Sequence, residues 1–308
     1  MYFAVDPIKS GLPERILATL AQWREHNPHA SVYCYLLIDA SFDQTLPGTY
    51  PWRSHVDCSL YEGTHLEGLK VVAPYLLRLR DAPEKQLAWL RQLVDTCSGK
   101  PMLSVLFSAI PADRLRAHLR PYLRARTDDG LEWPVRWADT RVLPGLIAAL
   151  EPEERRHLLS PLYAWMAVDR RGEPIIWQGE GDTALDPADF DCWPLDEARF
   201  GKLVGDAEAD AVISQIDEKR PDLLTDGMPA DIHRRVSSQL ALASRHHIDQ
   251  APDRLHFAML GLMLAPEFTD APSMQAALAR IAQGADYQTE IAGLPAEFWT
   301  HHPQGKTA

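Results

Sequence analysis

The chain has 308 residues, of which 46% are hydrophobic and 24% charged, a composition typical of a globular protein with a substantial core. Its formal net charge of −12 argues against nucleic acid as a partner. The N-terminus lacks a basic stretch followed by an apolar run, and the apolar run at 257–265 is about half the length that spans a bilayer. We therefore expect a cytoplasmic protein with no membrane partner.

The first part of the chain alternates helical and extended patterns. Apolar spacing and Pro or Gly boundaries predict helices at 12–26, 84–97, 111–120 and 144–150, and strands at 31–39, 75–79, 102–107 and 133–138. Two further strands, at 163–168 and 174–178, flank an Asp-Arg-Arg-Gly-Glu turn and predict a hairpin. These elements predict an α/β or α+β lobe over residues 1–178 with a mixed central sheet.

The stretch at 60–79 (LYEGTHLEGLKVVAPYLLRL) joins several signals in a short space. Gly63 suits a tight turn, and Leu66, Leu69 and Val72 have the spacing of the inner face of a short helix. Pro74 should end that helix and begin a strand. Glu62 and Tyr75 are left as candidates for partner contact or internal hydrogen bonds.

After residue 178 the sequence pattern changes from alternating helices and strands to a polar segment followed by helices. Residues 179–200 are rich in Gly, Asp and Pro, which predicts an acidic linker. Helical periodicity at 206–219, 231–247, 253–265 and 271–283 predicts an all-helical lobe over residues 201–308. Between Asp169 and Asp231 there are 17 acids and 6 bases. This excess fits either a basic partner surface or a solvated linker and helix face, and we favour the second.

Motifs for catalysis or cofactor binding are missing from the sequence. GxSxG, P-loop and dinucleotide fingerprints do not occur, and the four cysteines are widely separated. The acids at 186, 189 and 191 lack the glycine and terminal glutamate of a calcium loop. We therefore expect a non-enzymatic protein without metal or small-molecule cofactor. The alternative is a hydrolase that uses carboxylates of the 60s loop or of the 180s.

The basic residues cluster in one place. Arginines stand at 114, 116, 120, 124 and 126. Arg116 and Arg120 share a helix face, and Arg124 and Arg126 share a strand face if the chain is extended there. Such a stripe suits an anionic partner segment, but it equally suits a solvated face paired locally with Asp113, Asp128 and Asp129, which we favour.

Asp139 and Arg141 lie between a predicted strand and a predicted helix. They could pair with each other, cap the helix or contact a ligand. Of these roles we favour capping.

Taken in order, these motifs resemble a known family. The matching segments are 35–40 (YLLIDA), 60–64 (LYEGT), 73–76 (APYL), 118–120 (HLR), 129–130 (DG) and 136–143 (RWADTRVL). They resemble the effector adaptor or chaperone proteins of bacterial type VI secretion, of the Tap or TEC type, over about residues 31–168. Lys100-Pro101 replaces the family's Trp-Gly, and Thr140 replaces the proline of its Asp-Pro-Arg element.

The resemblance implies a cytoplasmic protein that binds a secreted effector and promotes its loading onto the VgrG spike, without catalysis. It also implies a framework role for the motif residues Asp39, Gly63, Pro74, Asp139 and Arg141. The candidates for partner contact are Arg116, Arg120, Arg124, Glu62 and Tyr75. A third possibility is a scaffold that only self-assembles.

Overall fold

The structure is a computed structural model that describes residues 2–49, 51–80 and 83–301. The chain divides into two compact units. The first is Val5–Asp206, and the second begins at Ala207 and includes residues 2–4. The first unit combines sheets with helices and the second is helical, which confirms the predicted fold class.

The first unit contains nine strands and five complete helices among its described residues. The strands are β1 (Tyr33–Asp39), β2 (Val56–Ser59), β3 (Pro74–Arg78), β4 (Leu103–Ser108), β5 (Arg124–Thr127), β6 (Glu132–Pro134), β7 (Leu162–Val168), β8 (Pro174–Gln178) and β9 (Trp193–Leu195). The helices are α1 (Leu12–His26), α2 (Pro83–Cys97), α3 (Ala112–Leu119), α4 (Leu143–Ala149) and α5 (Pro152–Leu159). A sixth helix, α6 (Glu197–Lys219), runs from this unit into the second.

Six strands form the main sheet in the order β2-β3-β1-β4-β7-β8, and every neighbouring pair is antiparallel. Side chains alternate between the two faces of a strand. Tyr35 and Leu37 of β1 therefore enter one apolar cluster with α3, α4 and α5, whereas Leu36 and Ile38 enter another with α1 and α2. Helices thus cover both faces, which explains why β1 is apolar throughout.

A smaller sheet has the order β6-β5-β9, and its β5–β9 pair is parallel. Strand β9 lies inside the segment 179–200 that the sequence analysis treats as a linker. Trp193 is fully buried and Leu195 is almost so. The segment is therefore part of the first unit, whose boundary falls after Asp206 and not near residue 200.

The predicted strand at 133–138 is shorter in the structure, where β6 ends at Pro134. Val135 and Trp137 are buried, as a strand pattern would require, but the chain turns at once. The amide of Asp139 donates to the carbonyl of Arg136 at 3.1 Å. This turn brings the charged residues of the segment together.

The predicted short helix near residue 70 is a 3₁₀ helix, Glu67–Val72, and Pro74 opens β3. Leu66 is buried, but Leu69 is 51% exposed, so its predicted inward position is wrong. The backbone at Leu69 departs from helical geometry (φ −98°, ψ 17°), and the helix therefore does not keep the phase that the spacing assumes.

Up to residue 301, the second unit contains the end of α6 and five further α-helices, which are α7 (Pro229–Arg245), α8 (Ala251–Met263), α9 (Pro272–Ile281), α10 (Tyr287–Ala292) and α11 (Ala296–His301). Ile232, Val236 and Leu240 form the buried stripe of α7, as their four-residue spacing predicts. Among the described residues no helix has the length and apolar character needed to cross a membrane.

Candidate partner-binding groove

Helix α3 and the 3₁₀ turn at Arg120–Leu123 form one wall of the candidate site. The sequence ADRLRAHL buries Leu115 and Leu119 in the core. Because a helix repeats every 3.6 residues, the intervening positions face outward, and Arg114 and Arg120 are exposed. The arginine stripe is therefore the outer face of an amphipathic helix.

Two of the predicted contact residues, Glu62 and Arg116, bind each other. Nη1 of Arg116 lies 2.8 Å from Oε2 of Glu62, and both side chains are partly exposed. Gly63, with φ +70°, allows the turn that carries Glu62 toward α3. An exposed ion pair of this kind contributes about 0–1 kcal/mol, so it orients the turn more than it stabilises the fold.

Arg124 and Arg126 extend from β5 and share one partner on β6. Both guanidinium groups contact the carboxylate of Glu132, with Nη2 of Arg126 at 2.7 Å from Oε1. Among the described residues, the acidic partners of Arg116, Arg124 and Arg126 are thus Glu62 and Glu132, with Asp191 at 3.9 Å from Arg126, and not the predicted Asp113, Asp128 and Asp129. Arg120 differs, because within the described chain its guanidinium forms no hydrogen bond or ion pair.

A groove runs along α3 and the turn that follows it. One part, about 360 Å³, lies between this wall and the 60s turn, and another, about 480 Å³, lies between it and residues 185–190. Both parts are lined by Ala117 and Pro121, so they adjoin each other along these two residues. We call this the α3 groove, and its lining includes Thr64, His65, Leu66, Arg114, Ala117, Arg120, Pro121, Arg124, Leu185, Pro187, Phe190 and Asp191. Its lining combines small apolar side chains with charged ones, as protein-binding surfaces do.

The acidic segment 182–191 forms the opposite wall of the groove. Nη2 of Arg114 donates to the carbonyl of Thr183 at 2.7 Å, and Nε2 of His157 lies 3.0 Å from the carbonyl oxygen of Asp186. Phe190 packs edge-on against Tyr122, with ring centroids 5.2 Å apart. Two polar contacts and one aromatic contact therefore hold this segment against α3, Tyr122 and α5.

Two stacked histidines lie below this wall. The rings of His118 and His157 are 4.6 Å apart, and Nε2 of His118 contacts the carbonyl oxygen of Leu158 at 3.3 Å. Burial and the neighbouring His157 lower the pKa of His118 to about 4, while its backbone hydrogen bond opposes this shift. His118 is therefore neutral in the folded protein at neutral pH.

This buried histidine predicts a pH dependence of stability. The unfolded chain binds a proton at His118 near pH 6.5, but the folded protein does so only near pH 4. The unfolded state therefore gains protons first, and stability falls as the pH drops from about 6.5 to 4, by about 3 kcal/mol. We expect His118→Gln, which keeps a donor for Leu158, to reduce this loss when urea unfolding is measured at pH 7 and pH 4.5. An equal loss in the variant would contradict the assignment.

Tyr75, another predicted contact residue, is partly exposed and forms an internal hydrogen bond. Its hydroxyl donates to the carbonyl of Lys70 at 2.8 Å and so ties the start of β3 to the 3₁₀ helix. Burial raises the pKa of this phenol. The apolar side chains exposed beside it, Leu69 and Val71, were not predicted as surface residues.

The motif residues Asp39 and Asp139 form a buried charge cluster with two arginines. Arg136 reaches Asp39 at 2.9 Å and Asp139 at 3.4 Å, and Nη2 of Arg141 lies 2.8 Å from Asp139. The aspartate side chains are only 3% and 2% exposed. Both guanidinium groups also lie over the ring of Phe42, at 4.9 and 5.2 Å from its centroid.

This cluster connects the end of β1 to the turn before α4. The carboxylate of Asp139 also accepts a hydrogen bond from the amide of Arg141 at 3.1 Å. Asp139 and Arg141 therefore pair with each other and close the turn. The favoured prediction that they cap the helix is wrong, because the N-cap of α4 is Val142 and no side chain caps that helix. Arg136 and Phe42 were missed. The only sequence signal for Arg136 is that it precedes Asp139 by three residues, a spacing at which a turn brings two side chains into contact.

The carboxylates of the hydrolase alternative lie in two places. Glu62 is engaged by Arg116, as described above. The acids of the 180s line an open cavity of about 600 Å³ together with α5, at Glu153, Glu154, Glu180, Asp182, Asp186 and Asp189. Among the described residues no group of three or more His, Cys, Asp or Glu side chains is arranged to hold a metal ion.

The groove and the charge cluster lie largely within a recognisable domain. Residues 34–157 match a family model described as "Domain of unknown function (DUF4123)". The match covers less than half of the chain and includes α3, the 60s turn and the four charged cluster residues, but not residues 179–191. Neither curated proteins nor solved structures gave a match.

Proposed function

We propose that this chain is a cytoplasmic adaptor that binds a type VI secretion effector and promotes its loading onto the VgrG spike. The observation that carries the proposal is the match to DUF4123 at residues 34–157. It falls within the region, 31–168, whose ordered motifs resemble the adaptor family. The partners named here come from that resemblance.

The α3 groove supplies a surface suited to this role. Its lining offers small apolar side chains and the guanidinium of Arg120, which forms no hydrogen bond or ion pair in the part of the chain that the structure describes. A partner segment with an apolar residue beside a carboxylate would complement both features. Binding without chemistry agrees with the lack of catalytic motifs in the sequence, and the proposed adaptor is non-enzymatic.

Charge reversal at Arg120 tests the groove. When the tagged chain is co-expressed with its effector and VgrG, we expect the wild type to recover both proteins. Arg120→Glu should lower the recovery of the partner that occupies the groove at least about tenfold, or about 1.4 kcal/mol, because the new carboxylate repels the partner's carboxylate.

Arg15→Glu is the matched control, because Arg15 is exposed on α1, which packs on the other face of the main sheet. This variant should recover both proteins normally. Equal recovery by the two variants would remove the groove from the proposal. Failure of the wild type to recover either protein would contradict the adaptor function itself.

A further inference from the structure

Strand β8 is an edge of the main sheet. It pairs with β7 on one side, and no strand among the described residues pairs with its other side. Its sequence, PIIWQ, contains no charged residue, and Ile176 is 41% exposed. Natural proteins usually protect exposed edges with charges, prolines or coverage, because unpaired strands bind other strands. Apart from Pro174 at its start, β8 carries none of these residue types.

The register of the hairpin shows which backbone groups of β8 point outward. Asp169 donates to the carbonyl of Glu173, and Gly179 donates to the carbonyl of Tyr163. Because bonded and non-bonded pairs alternate along an antiparallel ladder, residues 175 and 177 also bond to β7. The amide and carbonyl groups of Ile176 and Gln178 therefore face away from the sheet, together with the carbonyl of Pro174.

This row of groups has the spacing of a strand. Donors and acceptors that repeat every second residue along an extended chain are matched only by another extended chain. Ile176 stands at the centre of the row, so an apolar side chain beside it would be shielded from water on pairing. A helix or a folded surface would leave most of these groups unpaired.

We propose that β8 binds an extended segment of the effector as a seventh strand of the main sheet, with an apolar residue next to Ile176. This inference rests on the proposed adaptor function and names a second contact surface for it. A foreign strand fits better than a second copy of the chain. Pro174 has no amide proton and cannot donate a hydrogen bond to a neighbouring strand. A symmetric pair of β8 strands would therefore lack this hydrogen bond at two places.

A proline at position 176 tests this pairing selectively. Ile176→Pro removes one outward amide and leaves the hydrogen bonds to β7 in place, so we expect a melting temperature near that of the wild type. We expect recovery of the co-expressed effector to fall at least tenfold. Ile176→Val retains the amide and the apolar contact, and it should recover the effector within about twofold of the wild type.

Ile176→Lys provides a second route if the proline variant does not fold, because a charged edge disfavours strand pairing while the amide is retained. It should also lose the effector. If the folded Ile176→Pro or Ile176→Lys protein recovers the effector as well as the wild type does, the inference is overturned and the adaptor function is left intact. A wild-type homodimer in sedimentation that Ile176→Pro dissociates would also overturn it, since the occupant would be a second copy. A wild type that recovers no effector would overturn both proposals.

Discussion

Replacement of Asp139 by alanine is expected to destabilise the first unit by about 2–3 kcal/mol. The carboxylate is 2% exposed and lies within 3.4 Å of two guanidinium groups, those of Arg136 and Arg141. Without it, Arg141 loses the partner of three hydrogen bonds, which come from its amide, Nε and Nη2. Arg136 keeps Asp39 at 2.9 Å, so the loss comes mainly from the hydrogen bonds of Arg141. Hydrogen bonds to a charged group contribute about 1.5–3 kcal/mol.

Urea unfolding at pH 7 measures this effect. Asp95→Ala is the control, since Asp95 is exposed on α2, and it should change the free energy of unfolding by about 0.5 kcal/mol or less. Asp39→Ala should also be strongly destabilising, because Arg136 contacts both aspartates. The double variant should lose less than the sum of the two single losses. An Asp139→Ala protein as stable as the Asp95 control would show that the cluster is not a structural link.

Replacement of Glu154 by alanine should release the segment that follows residue 190. Oε2 of Glu154 accepts hydrogen bonds from the amide of Glu151 at 2.8 Å, the indole of Trp193 at 3.0 Å and Nη1 of Arg199 at 3.1 Å. Trp193 is fully buried, so its donor cannot turn to water. A buried donor left unpaired costs about 1–3 kcal/mol, whereas Arg199 keeps Asp196 and the carbonyls of Ala149 and Pro194. We therefore expect a total loss of about 2 kcal/mol.

Glu153→Ala is the matched control for this variant. Glu153 is the preceding residue of α5, and it is exposed with an exposed partner, Arg156. Limited proteolysis should cut the Glu154→Ala protein between residues 179 and 200 faster than either the wild type or the control. Equal cleavage of all three proteins would contradict the role given to Glu154.

The sequence predicts best those elements whose signal is local. Strand β1 is a continuous apolar run, and the β7–β8 hairpin has a polar turn between two apolar strands, so both are placed to within two residues. Helix α7 is predicted from its four-residue stripe. In each case the residues that decide the structure are neighbours in the chain.

Elements that depend on distant partners were not predicted. Strand β9 forms because it pairs with β5, and the paired residues Ala125 and Trp193 are 68 positions apart in the chain. Its own surroundings are rich in Pro and Asp, and this local pattern predicts a linker. Arg136 gains its role from Asp39, which is 97 residues away. The α3 groove combines three separate segments. Sequence patterns indicated the arginine wall, but only folding brings residues 185–191 opposite it.

Secretion of the effector in bacteria that lack this chain tests the adaptor function most directly. Deletion strains with and without a plasmid copy of the chain would be compared for effector in the cells and in the medium, with a spike-dependent component that needs no adaptor as the internal reference. We predict that effector secretion is lost on deletion and restored by the plasmid, while the reference is secreted throughout. Normal secretion of a stable effector without this chain would contradict the proposed function.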